Sequence, residues 1–233
     1  MKDSFSLGLF LSPEREKETA IKYLTKTTLA LYQAQLFKLI DCAYEIQNNK
    51  LLTEAQLEIF EHGMRQPLEL IFCSYSGKFL SRLAYHFEDA KKIFDKLACD
   101  NDSKIRFNAV TLLLCNPPDD VVLNVIEKCI NDPSKKVRKK VADVCERIDN
   151  TEILNLLERQ YNIEKDDSVK DSLLFSIRLL KNGYILEERD ENTFDLLVKT
   201  NDGLTGIIIS KEKLGNYGID ILVKSIKQNE KII

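Results

Sequence analysis

The chain has 233 residues, 44% hydrophobic and 30% charged, with 34 basic and 37 acidic side chains for a formal net charge of -3. That length can bury a substantial core as one large or two small domains. The even charge balance excludes a global field that draws in a polyanion, leaving only local patches, and no run of about 18 apolar residues is present to form a transmembrane helix.

The short apolar run from Phe5 to Leu11 meets Pro13-Glu14-Arg15-Glu16-Lys17-Glu18 at once, without a small-residue cleavage site, so no signal peptide is expected. Residues 13–48 read as helical, as two helices or one long bent one. Ser12 serves as N-cap and Pro13 takes the first helical position. Thr53 with Gln56 three residues later is a capping box. Pro67 opens the next apolar segment, Gly77 interrupts it, and Phe79, Leu80, Leu83 and Ala84 resume a helical period.

A repeat then takes over. Ile105, Val137 and Val169 recur at a spacing of 32, each followed by a cation, and Ala109, Val141 and Leu173 recur four residues on. A fixed period in this range signals stacked helical hairpins. The expected pairs are 88–98 with 103–115, 119–130 with 135–148, and 151–161 with 168–181. Asn116-Pro117-Pro118, Asp132-Pro133 and the polar run from Glu164 to Asp167 break them. The last fifty residues change character. Phe194–Lys199 and Leu204–Ile209 flank Asn201-Asp202-Gly203, a hairpin signal. Residues 184–188 add a short third strand, and Ile219–Ile226 reads as a final helix, with a strand as the alternative that its β-branched content allows.

Asp132-Pro133-Ser134-Lys135-Lys136-Val137-Arg138-Lys139-Lys140-Val141-Ala142 resembles the HEAT-repeat (armadillo-like α-solenoid) family: an Asp-Pro turn, Val-Arg, then small or branched apolar residues. The first repeat, Asn101-Asp102-Ser103-Lys104-Ile105-Arg106, lacks the proline. The third, Lys165 to Lys170, has Lys in place of Arg. The resemblance covers about residues 88–181. It implies a mostly α fold: a right-handed α-α solenoid of HEAT-like helical hairpins with a small C-terminal α+β cap, a β-hairpin plus helix. The expected division is 1–87 as an N-terminal helical region of degenerate repeats, 88–181 as three repeats, and 182–233 as the cap. It also implies that Arg106 and Arg138 pair with the Asp of an inter-helix turn, Asp102, Asp132 or Asp166, as a structural ladder.

The second helix of each pair supplies the candidate surface. Lys139, Lys140, Asp143 and Arg147 lie opposite Val137, Val141 and Val144. With Lys135 and Lys136 they form the densest basic cluster. Subtracting or adding 32 sets Phe107 against Lys139 and Phe175 against Asp143, aromatics in a polar register. Such residues anchor a partner or fill a wedge between layers. The candidate partner-binding set is Phe107, Asn108, Thr111, Lys139, Lys140, Asp143, Arg147, Asp171, Phe175 and Arg178.

Chemistry has less support. His62 and His86 lie 24 residues apart with no second metal ligand at helical spacing, and Glu58 four before His62 reads as a surface pair. No phosphate-binding glycine loop and no nucleophile motif occurs. Catalytic residues, metal and cofactor are therefore all expected to be none. Six cysteines without a C-x-x-C pair read as reduced thiols of a cytoplasmic protein. The leading expectation is a non-enzymatic protein-binding module using the inner face of a solenoid, a bacterial adaptor or, by analogy, a toxin-neutralising immunity protein. Two alternatives stand beside it. One is a DNA-binding or DNA-glycosylase-like HEAT protein, which the absence of Trp opposes and for which Asp143 or Asp171 would be the acid. The other is a structural subunit of a larger complex, joined through Leu7–Leu11 or Ile232-Ile233. Nucleic acid and membrane are not expected partners.

Overall fold

A computed structural model describes residues 12–23, 26–67, 71–148, 150–182, 184–188, 193–200 and 203–210. The Phe5–Leu11 run, the helix expected over 219–226 and Ile232-Ile233 lie outside these residues. The protein is mostly helical, and the chain divides into two compact units, Met1–Cys129 and Ile130–Ile233.

The first unit holds α1 (Pro13–Tyr23), α2 (Lys26–Asn49), α3 (Glu54–Met64), α4 (Ile71–Leu83), α5 (Glu88–Ala98), α6 (Ser103–Thr111) and α7 (Asp119–Cys129). Helix α1 starts at Pro13, with Arg15 N–H donating to Ser12 Oγ at 3.4 Å. The capping box forms: Gln56 N–H donates to Thr53 Oγ1, and Thr53 N–H donates to Gln56 Oε1 at 2.9 Å. These bonds satisfy donors that the first helical turn leaves unpaired. A 3-10 turn, Leu112–Cys115, continues α6 and ends at Asn116 with φ 56, a left-handed value that Asn tolerates. Helix α3 packs on α4 and α5, α5 on α6 and α7, and α4 on the 3-10 turn. Phe60, Phe79, Phe94, Leu80 and Leu83 fill this core.

The second unit holds α8 (Lys135–Cys145), α9 (Thr151–Ile163) and α10 (Asp167–Asn182). Strands β1 (Tyr184–Glu188), β2 (Thr193–Thr200) and β3 (Gly203–Ser210) form an antiparallel sheet in the order β1-β2-β3. Thr200 pairs with Gly203 across the β2–β3 connection. Helix α10 packs on both α8 and α9, and a buried hydroxyl joins α10 to α8: Ser176 Oγ donates to Ala142 O at 2.9 Å.

The 32-residue period has a physical counterpart at its second anchor. Ala109, Val141 and Leu173 are all fully buried. One period earlier stands Gly77, also buried, where a Cβ would come 2.5 Å from Leu112 Cδ2. Gly, Ala, Val and Leu thus occupy one register in increasing size. The first anchor departs from expectation. Val137 and Val169 are buried, as is Cys73 one period before Ile105, but Ile105 itself is only half-buried. Helix α6 is nine residues long, and its core positions go to Asn108, Ala109 and Val110.

Candidate functional site

Arg106 and Arg138 each bind backbone carbonyls of the turn before their own helix. Arg106 Nη1 donates to the carbonyls of Asp100 and Asn101 at 2.7 and 3.0 Å. Arg138 Nη1 makes the same pair of bonds to Asp132 and Pro133 at 2.8 and 3.3 Å. The free edge of Arg138 grips Glu164. Asp102, Asp132 and Asp166 each accept the N–H of the residue two positions on, Lys104, Ser134 and Ser168, and Asp166 also accepts from the Lys135 ammonium at 3.2 Å. Glu164 does two things at once, accepting the N–H groups of Lys165 and Asp166 as well as the guanidinium. In the first unit Arg65 plays the matching part, with Nη1 donating to Asp100 Oδ2 at 2.6 Å. Lys170, 32 residues after Arg138, lies over the Tyr161 ring.

Of the candidate surface set, Asn108 leaves the surface. It is 5% exposed, and its amide nitrogen donates to Met64 O at 2.9 Å and Gln66 O at 2.8 Å. This is a buried polar group tied to the end of α3. Thr111 is half-buried, and its hydroxyl donates to Phe107 O in its own helix. Phe107 is half-buried on the same helix.

The remaining candidates lie on α8, on the turn after it and on α10, the packed pair of the second unit. Lys139, Arg147 and Asp171 are exposed; Lys140, Asp143, Phe175 and Arg178 are half-buried. Asp143 is pushed above the usual carboxylate range by burial, against the pull of Lys140, Lys139 and a Ser172 hydrogen bond. Glu146, which sequence reasoning passed over, stands one turn further along. Burial, and then the Asp143 charge, raise it to about 8 despite Arg147 and Lys140. A signal for it existed: adding 32 to Glu146 gives Arg178, already in the set.

The same subtraction reveals a second patch in the first unit. Tyr75 stands one period before Phe107, and Arg82 two periods before Glu146. On this face of α4, Tyr75 Oη donates to Glu16 Oε2 at 3.4 Å and Lys78 Nζ lies 3.6 Å from Glu16 Oε1. The Lys78 ammonium also sits over the rings of Tyr75 and Phe79. Lys78 and Arg82 are near enough to Cys115 to favour its thiolate, but burial prevails and holds the thiol at about 11. Cys42, Cys73, Cys129 and Cys145 are buried cysteines, and Cys99 is exposed. Burial raises Cys42 to about 11 as well, so neither it nor Cys115 is an activated nucleophile.

Among the described residues no three His, Cys, Asp or Glu side chains gather as a metal would require, and no helix is long and apolar enough to cross a membrane. Comparison of the chain with protein-family models, with curated proteins and with solved structures gave no match.

Proposed function

We propose that this protein is a non-enzymatic binding module of the helical-solenoid type, that it holds another protein against the α8–α10 face, and that the C-terminal sheet caps its helical repeats. One observation carries the reading. On the packed pair α8 and α10, half-buried Phe175 follows exposed Asp171 by one turn on α10, α8 carries exposed Lys139 and half-buried Lys140 and Asp143, and exposed Arg147 follows in the turn after α8. An aromatic with a charged surround has the anatomy of an interface anchor, in which the ring supplies buried area and the rim supplies register. The periodic registers and the arginine–carboxylate bonds between successive turns support a stack of hairpins, the architecture that builds extended binding surfaces.

The preponderance of cations, Lys139, Lys140 and Arg147, calls for an acidic surface on the partner. An adaptor, or an inhibitor that occludes a toxin domain, works by such contact alone. The test is affinity capture from the native cell with the wild-type chain and with Lys139→Glu, Lys140→Glu and Arg147→Glu combined. Loss of specific partners, with an unchanged thermal transition of the variant, is the expected result. Partners retained at full yield would defeat the reading.

A further inference from the structure

The α4 face of the first unit already holds a carboxylate, and it comes from another helix. Glu16 of α1 is 4% exposed, whereas its neighbours Glu14 and Arg15 are exposed. Its contacts to Tyr75 and Lys78, at 3.4 and 3.6 Å, are longer than the usual 2.7–2.9 Å of charge-assisted bonds. Helix α1 is held from its other side by the Lys17–Asp41 ion pair and by Lys17 over the Phe37 ring. One turn beyond Lys78, the Nε of Arg82 is buried with no hydrogen-bond partner. A buried donor left unmade carries its full desolvation cost. The face therefore presents two cations at i and i+4 and receives one acid. Neither Ser12 nor Ala20, one turn either side of Glu16, can supply the second.

We infer that Tyr75, Lys78 and Arg82 form a docking site for an acidic helix of a protein partner, with carboxylates one turn apart, and that α1 occupies part of this site in the free protein. The inference rests on the reading of the chain as a protein-binding module and gives the partner's chemistry at a second face. Acids spaced four apart on one helix match cations spaced four apart on another. A partner helix of that kind satisfies Arg82 as well as Lys78, which α1 does not. It therefore competes with Glu16 for Lys78.

The probes are two fluorescein-labelled peptides of residues 12–25, one carrying Ala20→Glu and one Ser12→Glu, titrated into the full-length chain and followed by anisotropy. Glu16→Gln in the full-length chain removes the internal competitor. At least one peptide is expected to bind this variant at least tenfold more tightly than the wild type. Adding Arg82→Gln is expected to reverse that gain, and Arg82→Lys to restore part of it. A peptide with Gln at position 16 and no added acid is expected not to bind. Equal anisotropy curves for wild type, Glu16→Gln and Glu16→Gln/Arg82→Gln would overturn the site. Circular dichroism melts of each variant separate loss of the site from loss of the fold, and Lys78→Gln provides a second route to the same loss. The triple α8 variant Lys139→Glu/Lys140→Glu/Arg147→Glu is expected to leave peptide binding unchanged, so failure here and failure of the α8–α10 reading are told apart.

Discussion

Arg138 and Glu164 share two hydrogen bonds, Nε to Oε2 at 2.7 Å and Nη2 to Oε1 at 2.9 Å, across 26 residues of chain. The Glu164 side chain is 2% exposed and that of Arg138 16%. Removing the guanidinium leaves a buried carboxylate with only Gln160 and two backbone N–H groups. Arg138→Ala is expected to cost about 3 kcal/mol, as broken buried pairs do. Arg138→Lys recovers only part of this, because one ammonium cannot replace a two-pronged fork. Urea denaturation followed by circular dichroism measures both.

Two glutamates give the second unit opposite responses to pH. The Arg138 hydrogen bonds, with help from the Asp166 and Lys165 N–H groups and Gln160, hold Glu164 at about 2. Its folded value lies below its unfolded one, so its contribution is complete above about pH 4.5 and is lost as pH falls toward 2. Burial and the Asp143 charge raise Glu146 to about 8. There the folded state binds the extra proton, so stability falls as pH rises from about 4.5 through 8. From these two groups, stability peaks near pH 4.5–5. Glu146→Gln should flatten the alkaline limb and leave the acid limb intact. An unchanged slope between pH 5 and 8 in denaturant midpoints would contradict the assignment.

Gly77→Ala sets two effects against each other. Alanine favours a helix interior by about 1 kcal/mol over glycine. The new methyl would meet Leu112 at Cδ2, Cγ and Cβ, at 2.5, 3.1 and 3.3 Å, and Leu112 is 3% exposed. Overpacking of a well-filled core costs about 1–3 kcal/mol. The net outcome is a loss of about 1 kcal/mol, read as a lowered melting temperature. Gly77→Ala combined with Leu112→Ala should relieve the clash, so the pair is non-additive.

Asn108→Ala removes the donor that serves Met64 O and Gln66 O. Gln66 O then loses this donor and Met64 O keeps the Cys73 thiol at 3.6 Å, for a loss of about 1–3 kcal/mol between them. Hydrogen exchange should show the last turn of α3 opening more readily, with α8–α10 protection unchanged. Protection equal to wild type at α3 would place the bond among those of little consequence.

Much of the helical layout was legible because caps and breakers are local. Thr53 with Gln56, Ser12 with Pro13, and the Asp132-Pro133 turn each announce a boundary through bonds to neighbours a few residues away. Helix α7, expected over 119–130, runs Asp119–Cys129, and the expected 168–181 helix runs Asp167–Asn182. The 32-residue register was hard to follow before residue 88 because Cys73 and Gly77 stand at its positions. Their fitness depends on Leu112, not on hydrophobicity. Asn108 looked like surface because a polar residue on a helix usually is; only the position of two carbonyls 44 and 42 residues upstream makes it core. Glu16, paired 59 residues away with Tyr75, carries no local sign of burial at all.

The graded series Gly77, Ala109, Val141, Leu173 means that the four helices carrying it are not interchangeable. Copying one into another's berth would leave a hollow at one end of the series and a collision at the other. Engineering that lengthens or shortens this protein must respect that order.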